Sequence, residues 1–361
     1  MNIKKLLFLG LTTVFAFTSC EKESSEEIPQ PEVEGDYASG AFVLNEGNFG
    51  SGNSSISFLN EDMTGITHHI FTEENQVELL GDTGQDIGFY EDYAFIVLNV
   101  SNKIEVVDRN SFERIGTIDS GLLNPRFISF ANGKAYVTNW GDGTNPDDDF
   151  IAVINPENLE IIKNISVSEG PDQIVSANGK LYVAHPGGFS ISNKLSVINS
   201  ASDEVEKQVE VGEIPNSLEV SGNSLWIACS GKPAYSGEET AGSILRMDLG
   251  NGEIAEKFQF AEATAHPSNL ELNDVFVYYT LGTQVYSFDQ NDTSLPETPF
   301  MSLEEAAVLY GFEVADGLIF AASANADFTG DGDLYIYDAT TGNLLNSFKT
   351  GINPNGIFFS E

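Results

Sequence analysis

Ile151-Ala152-Val153-Ile154-Asn155-Pro156-Glu157-Asn158 reads as a β-rich apolar run that stops on an asparagine and turns. The pattern recurs six more times, at residues 56–60, 104–108, 195–199, 244–248, 285–289 and 334–338. Each run closes on Asp or Asn, whose side chain can bond the backbone two residues on and so start a turn. The closing residues lie 48, 47, 44, 49, 41 and 49 positions apart. Short β-branched and aromatic runs at a period of about 47 residues, with almost no helical periodicity, predict four-stranded propeller blades. The only helix expected is short: Ser302 could cap residues 303–309, with Glu304 and Glu305 in the first turn.

A second register runs through the same repeats. Inner strands are expected to open at Gln85-Asp86, Pro125-Arg126, Pro171-Asp172, Pro215-Asn216, Pro267-Ser268 and Leu309-Tyr310. Thirteen residues after the second member of each pair the next strand ends, at Asn99, Asn139, His185, Cys229, Leu281 and Ser323. The seventh copy is split. Residues 41–45 read as a second strand without a first, and residues 354–359 as a first strand without a second. Pairing them closes the ring and leaves no bare edge at the seam. The expected fold is therefore all-β: a single seven-bladed propeller of four-stranded blades over residues 40–361, closed by the C-terminal strand.

The preceding residues read differently. Lys4 and Lys5 lead an apolar stretch over residues 6–17, too short to span a bilayer, and the order of charge, apolar run and small residues is that of a secretory signal. Its end, Phe17-Thr18-Ser19-Cys20, resembles the bacterial lipobox. That implies a signal peptide over residues 1–19 and acylation of Cys20. Residues 20–39, acidic and containing Pro29 and Pro31, then form a flexible tether. Acidic residues directly after such a cysteine resemble a signal for the outer face of the outer membrane; the alternative is a solvated linker facing the periplasm. The membrane is then met through the lipid anchor alone, because a net charge of −39 repels nucleic acid and anionic lipid. Cys229 is the second of only two cysteines; with Cys20 acylated it has no partner and reads as a buried, inert thiol.

Pro171, Gly179, Leu181-Tyr182-Val183 and Ser196-Val197-Ile198-Asn199 resemble the repeats of YncE-like seven-bladed propellers. Val43-Leu44-Asn45-Glu46-Gly47-Asn48 and Gly81-Asp82-Thr83-Gly84-Gln85-Asp86 are similar to surface lipoproteins of that type, among them cobalamin-capturing propellers that partner TonB-dependent transporters. The resemblance implies capture of a corrinoid, or another bulky scarce nutrient such as a siderophore, and its delivery to a transporter.

Alternating strand direction puts the loop into each inner strand and the loop between second and third strands on one face. That face is expected to carry Asp86, Arg126, Asp172, Asn216, Tyr310 and Asn355 around the channel mouth, with Asn99 and His185 at strand ends beside them. Aromatic loop tips Phe49, Trp140, Phe189, Tyr235 and Phe328 would stand over this polar floor, as a site for a bulky amphipathic ligand requires. The alternative is that the rings fold back and cover the blade tops. No catalytic constellation is present: neither Gly-x-Ser-x-Gly nor His-Glu-x-x-His occurs, and there are only four histidines. His68 and His69, adjacent in an expected strand, would point to opposite faces. No cofactor is expected. Two acidic runs, residues 142–149 and Asp327 with Asp331 and Asp333, have oxygen-rich spacing compatible with Ca²⁺ but lack the EF-hand pattern and read more readily as solvated loops. The functional readings that remain are nutrient binding, an adhesive or structural module for protein or glycan, and an enzyme of lyase or quinoprotein type.

Overall fold

The computed structural model describes residues 35–359. Seven four-stranded antiparallel sheets form seven blades: blades 1 to 6 follow the chain from inner strands Gly84–Tyr90, Pro125–Ala131, Ile174–Ala177, Pro215–Ser221, Ser268–Leu272 and Leu309–Ala315, and blade 7 is closed by the chain ends. In blade 2 the strands are Pro125–Ala131, Lys134–Asn139, Phe150–Asn155 and Glu160–Ser166, from the channel outward. Blade 7 pairs Pro354–Phe359 with Gly40–Asn45, which continues to Ser55–Asn60 and Ile66–Thr67. Phe42 faces Phe358 and Val43 faces Ile357 across this seam.

The core lies between the blades. On Lys134–Asn139, Ala135 and Val137 pack with Val97 and Ile104 of blade 1, while Tyr136 packs with Leu181 and Val183 of blade 3. Both sheet faces are covered, which is why second and third strands read as continuous apolar runs. The turn chemistry follows the expected pattern. Asn155 Oδ1 accepts from Glu157 N at 2.9 Å, Asp248 Oδ1 from Gly250 N at 2.7 Å and Asp338 Oδ1 from Thr340 N at 2.9 Å. Asn60 reaches further, to Thr64 N at 3.0 Å and Gly65 N at 2.9 Å.

Three local expectations are corrected. No helix follows Ser302: Met301–Ser302 forms the short outer strand of blade 5, and Leu303 N bonds Thr283 O at 2.8 Å. Pairing completes a sheet, whereas a seven-residue helix would carry the full cost of nucleation. A helix forms instead over Ile70–Asn75, where Ile70 and Phe71 are buried. It starts after His69 in the left-handed region, with no capping side chain to announce it. His68 and His69 accordingly lie past the strand, which ends at Thr67, and His68 Nδ1 sits 3.0 Å from Ser57 Oγ. Finally, Tyr37, assigned with the tether, is buried edge-on against Phe58 at 5.1 Å and donates to Glu74 at 2.7 Å. The folded region begins before Gly40. Cys20 and residues 1–19, the expected signal peptide, lie outside the described residues.

Candidate functional site

Six of the seven inner strands enter their blades through a register irregularity; that of blade 3, Ile174–Ala177, pairs in regular register. Pro215 pairs with Cys229 but Ser217 pairs with Ala228, so Asn216 is bulged out of the ladder. The same shift falls at Gln85, Tyr310 and Asn355, and in blade 2 between Pro125 and Ile128. A bulge bends the strand and re-aims a side chain. Repeated round the ring, it builds the rim of the channel mouth from residues at one position.

This register corrects the reading of blade 1. Gly84 pairs with Leu98 as Pro125 pairs with Asn139, so Gln85, not Asp86, is the counterpart of Arg126. Asp86 stands one residue deeper and is buried. Its carboxylate accepts from Ile87 N at 2.9 Å and from Ile128 N of the next blade at 2.8 Å. Burial pushes its pKa up to about 7 against the pull of these two bonds. Gln173 Oε1 and Ser217 Oγ hold Leu218 N and Leu270 N in the same way, at 2.6 and 3.3 Å. These side chains cap N–H groups on the bare inner edge of the following blade. Asn99 is also a link between blades, donating to Pro125 O at 3.0 Å. His185 is fully buried beneath the face, with Nε2 2.8 Å from Ser196 Oγ, and burial pushes its pKa down to about 4. Asp86, Asn99 and His185 thus support the site from below.

The remaining rim residues converge. Arg126 Nε bonds Asp172 Oδ1 at 2.9 Å, and its guanidinium lies 4.1 Å over the Trp140 ring. Trp140 is fixed by its Nε1 bond to Pro171 O at 3.0 Å and meets Phe189 edge-on at 5.7 Å. Tyr310 donates to Glu46 Oε2 at 2.5 Å and meets Phe328 edge-on at 5.9 Å. Burial raises the pKa of both Tyr310 and Glu46, and the positive charge of Arg126 works against each rise. Asn216 and Asn355 donate to Pro267 O and Gly84 O, at 2.9 and 2.8 Å. Their buried Oδ1 atoms have no protein partner among the described residues.

Three of the five aromatic tips stand free, while Trp140 is half-buried against the rim and Phe328, 44% exposed, leans on Tyr310. Phe49 is 81%, Phe189 74% and Tyr235 92% exposed. Two neighbouring cavities share Trp140, Gly188 and Phe189. One, of about 300 Å³, adds Asp142, Asp149 and Glu169; the other, of about 540 Å³, adds Asp172, Ile214 and Tyr235. Close approach of glycines makes the first possible. A Cβ on Gly170 would stand 2.2 Å from Gly188 N, and one on Gly143 2.3 Å from Phe189 Cε2. The Phe49 loop has its own support: Asp82 accepts from Gly50 N at 3.1 Å and Gly52 N at 3.2 Å.

Sequence reading placed neither Glu46 nor Glu169 at the site; it had Gln85 only as a strand opener beside Asp86 and Asp149 only as the end of an acidic run. It also missed Glu219, Glu271 and Glu313, at equivalent positions on three successive inner strands. Burial and mutual repulsion raise the pKa of Glu219 and Glu271, and burial raises that of Glu313. The acidic run near Phe328 does not converge: Asp327 caps its own turn through Thr329 N at 2.9 Å and Asp333 pairs with Lys349 at 2.7 Å, while Asp331 lies on the adjoining strand. Among the described residues no three His, Cys, Asp or Glu side chains are grouped to hold a metal ion. A larger cavity of about 730 Å³, reached by Glu313 and lined by Asn60, Asp274 and Phe359, lies apart from these aromatic loops.

Solved structures share the fold at low identity. A hypothetical selenium-binding protein from Sulfolobus tokodaii superposes with a TM-score of 0.68 at 12% identity, covering 90% of this chain and 94% of that one. Dihydro-heme d1 dehydrogenase NirN in complex with DHE gives 0.59 at 13%, covering 92% and 77%. BamB from Moraxella catarrhalis gives 0.54 at 12%, covering 89% and 86%. At such identities the likeness is one of fold alone. No curated protein matches the sequence. A family profile does, over residues 39–359, and the chain belongs to that family, Domain of unknown function (DUF5074).

Proposed function

We propose that this chain is an outer-membrane surface lipoprotein that binds a bulky amphipathic nutrient, a corrinoid such as cobalamin being favoured, and delivers it to a TonB-dependent transporter. One observation carries the reading. Three large rings stand more than two-thirds exposed on loops around a polar channel mouth, beside two cavities that share Trp140 and Phe189. Exposed aromatic surface with convergent polar groups marks a binding face. A ring system edged with amides suits it: the apolar body would stack on Phe189 and Tyr235, and amide N–H groups would donate to the Asp172 carboxylate, which lines the larger of these cavities. Arg126 would take further polar groups, and no covalent step is required. The compartment rests on the lipobox-like run ending in Cys20 and the acidic residues after it, and the transporter partner on the resemblance carried by residues 43–48 and 81–86.

The test is a titration of the chain from Glu21 onward with corrinoids and with ferric siderophores, followed by visible absorption and thermal shift. A ligand at 100 times its Kd stabilises by about 2.7 kcal/mol. A corrinoid-dependent shift lost in Tyr235→Ala is expected. Response only to siderophores would reassign the cargo, and response to neither at high micromolar concentration would refute nutrient capture.

A further inference from the structure

We infer that the cavity between the Trp140 loop of blade 2 and the Phe189 loop of blade 3 is a subsite for an organic cation, a quaternary or alkylated ammonium group. This deepens the proposed function, resting on its assignment of the face, by naming the chemistry that one part of the face recognises. The cavity, about 300 Å³, is walled by two rings at 70° to one another and by Asp142, Asp149 and Glu169; among the described residues no Lys, Arg or His lines it. Aromatic faces, the negative side of the ring quadrupole, hold soft cations, and carboxylates alongside add charge.

Of these carboxylates, Asp149 is only half satisfied internally. Asp149 is 3% exposed; its Oδ2 accepts from Gly170 N, and its Oδ1 has no partner among the described residues. Burial, reinforced by the charges of Asp148 and Glu169, pushes its pKa up to about 6 despite the Gly170 bond. A cation in the cavity would relieve that repulsion. The nearest base, Arg126, is already balanced by Asp172 at 2.9 Å, and it shows that the Trp140 ring attracts positive charge. A hard metal ion fits poorly. Asp142 is turned into its own loop, accepting from Thr144 N at 2.9 Å and Thr144 Oγ1 at 2.8 Å, and the carboxylates do not gather as a metal-ligand group. The rings and the shape favour a large, weakly hydrated cation.

The chain from Glu21 onward is titrated calorimetrically with choline and benzyltrimethylammonium, with 3,3-dimethylbutan-1-ol as choline's neutral isostere, and with CaCl₂. Trp140 emission is followed in parallel; the other tryptophan, Trp226, is fully buried. Both ammonium compounds are expected to bind at least tenfold more tightly than the alcohol. Glu169→Gln should weaken them several-fold, and Trp140→Leu and Gly143→Ala at least tenfold, the last by displacing Phe189 without touching a charge. Equal binding of alcohol and choline, absence of ammonium binding at 10 mM, or a Trp140 response to Ca²⁺ alone would each overturn the assignment. A corrinoid titration of the same sample separates the two readings. Corrinoid binding without ammonium binding sinks the subsite alone, and the reverse sinks the corrinoid cargo alone.

Discussion

At the residue scale, Asp86 and His185 show how a repeat position changes its work with depth. Both were expected at the mouth, and both are buried one layer below it. Asp86→Ala would leave Ile128 N without its acceptor, at a cost of about 1–3 kcal/mol; urea unfolding should show the loss, and Asp86→Asn, which keeps an acceptor oxygen, should recover part of it. The two groups bend the pH profile in opposite senses. The carboxyl of Asp86 moves up from 3.8 to about 7 on folding, so its contribution is complete below pH 4 and is lost as pH rises toward 7. The imidazole of His185 moves down from 6.5 to about 4, so its contribution is complete above pH 6.5 and is lost as pH falls toward 4. Urea midpoints between pH 4 and 8 should therefore flatten on the acid side in His185→Asn. In Asp86→Asn the decline between pH 4 and 7 should shrink. The opposite pattern would remove the assignment of either group.

At the scale of elements, the seam and the loop buttress carry separate expectations. Ile357 pairs with Val43 and is buried with Phe320 and Ile336 of blade 6, so Ile357→Ala should cost about 2–5 kcal/mol. Removing residues 354–359 should do more: Gly40–Asn45 becomes a bare edge, and the product should aggregate on size-exclusion chromatography rather than run as a compact monomer. Asp82, just before the inner strand of blade 1, bridges Gly50 N and Gly52 N of the blade 7 loop. Asp82→Ala should loosen the Phe49 loop, lowering ligand affinity while the melting temperature moves little.

At the scale of the whole molecule, the face is asymmetric. Blades 2, 3, 4, 6 and 7 send long loops over the mouth; in blades 1 and 5 the second and third strands are joined across residues 99–102 and 282–283. Ligand is therefore expected over the aromatic arc rather than on the axis. Truncating Phe189 or Tyr235 to Ala removes mostly exposed surface, so stability should stay within about 0.5 kcal/mol. Affinity should fall tenfold or more, equivalent to about 1.4 kcal/mol. Unchanged affinity in both variants would favour an adhesive role for another surface.

The number of blades, their strand order and the closing of the ring were legible because a buried two-sided strand leaves a continuous apolar run, and because a turn leaves its Asp or Asn at a fixed offset. Those are local signals, repeated seven times. The rim bulge left no such trace in blade 1, where Gly84 stands in place of the proline of blades 2, 3 and 4, and the reading slipped by one residue there. Which aromatic loops remain open, which carboxylates share a cavity and which side chains latch one blade to the next depend on contacts between residues some forty positions apart. Repeat spacing therefore determined the closed ring quoted at Ile151–Asn155 and its copies. Only packing between the blades decided which residues of its rim can meet a ligand, because pleat, bulge and loop approach set depth, and depth is absent from the one-dimensional pattern.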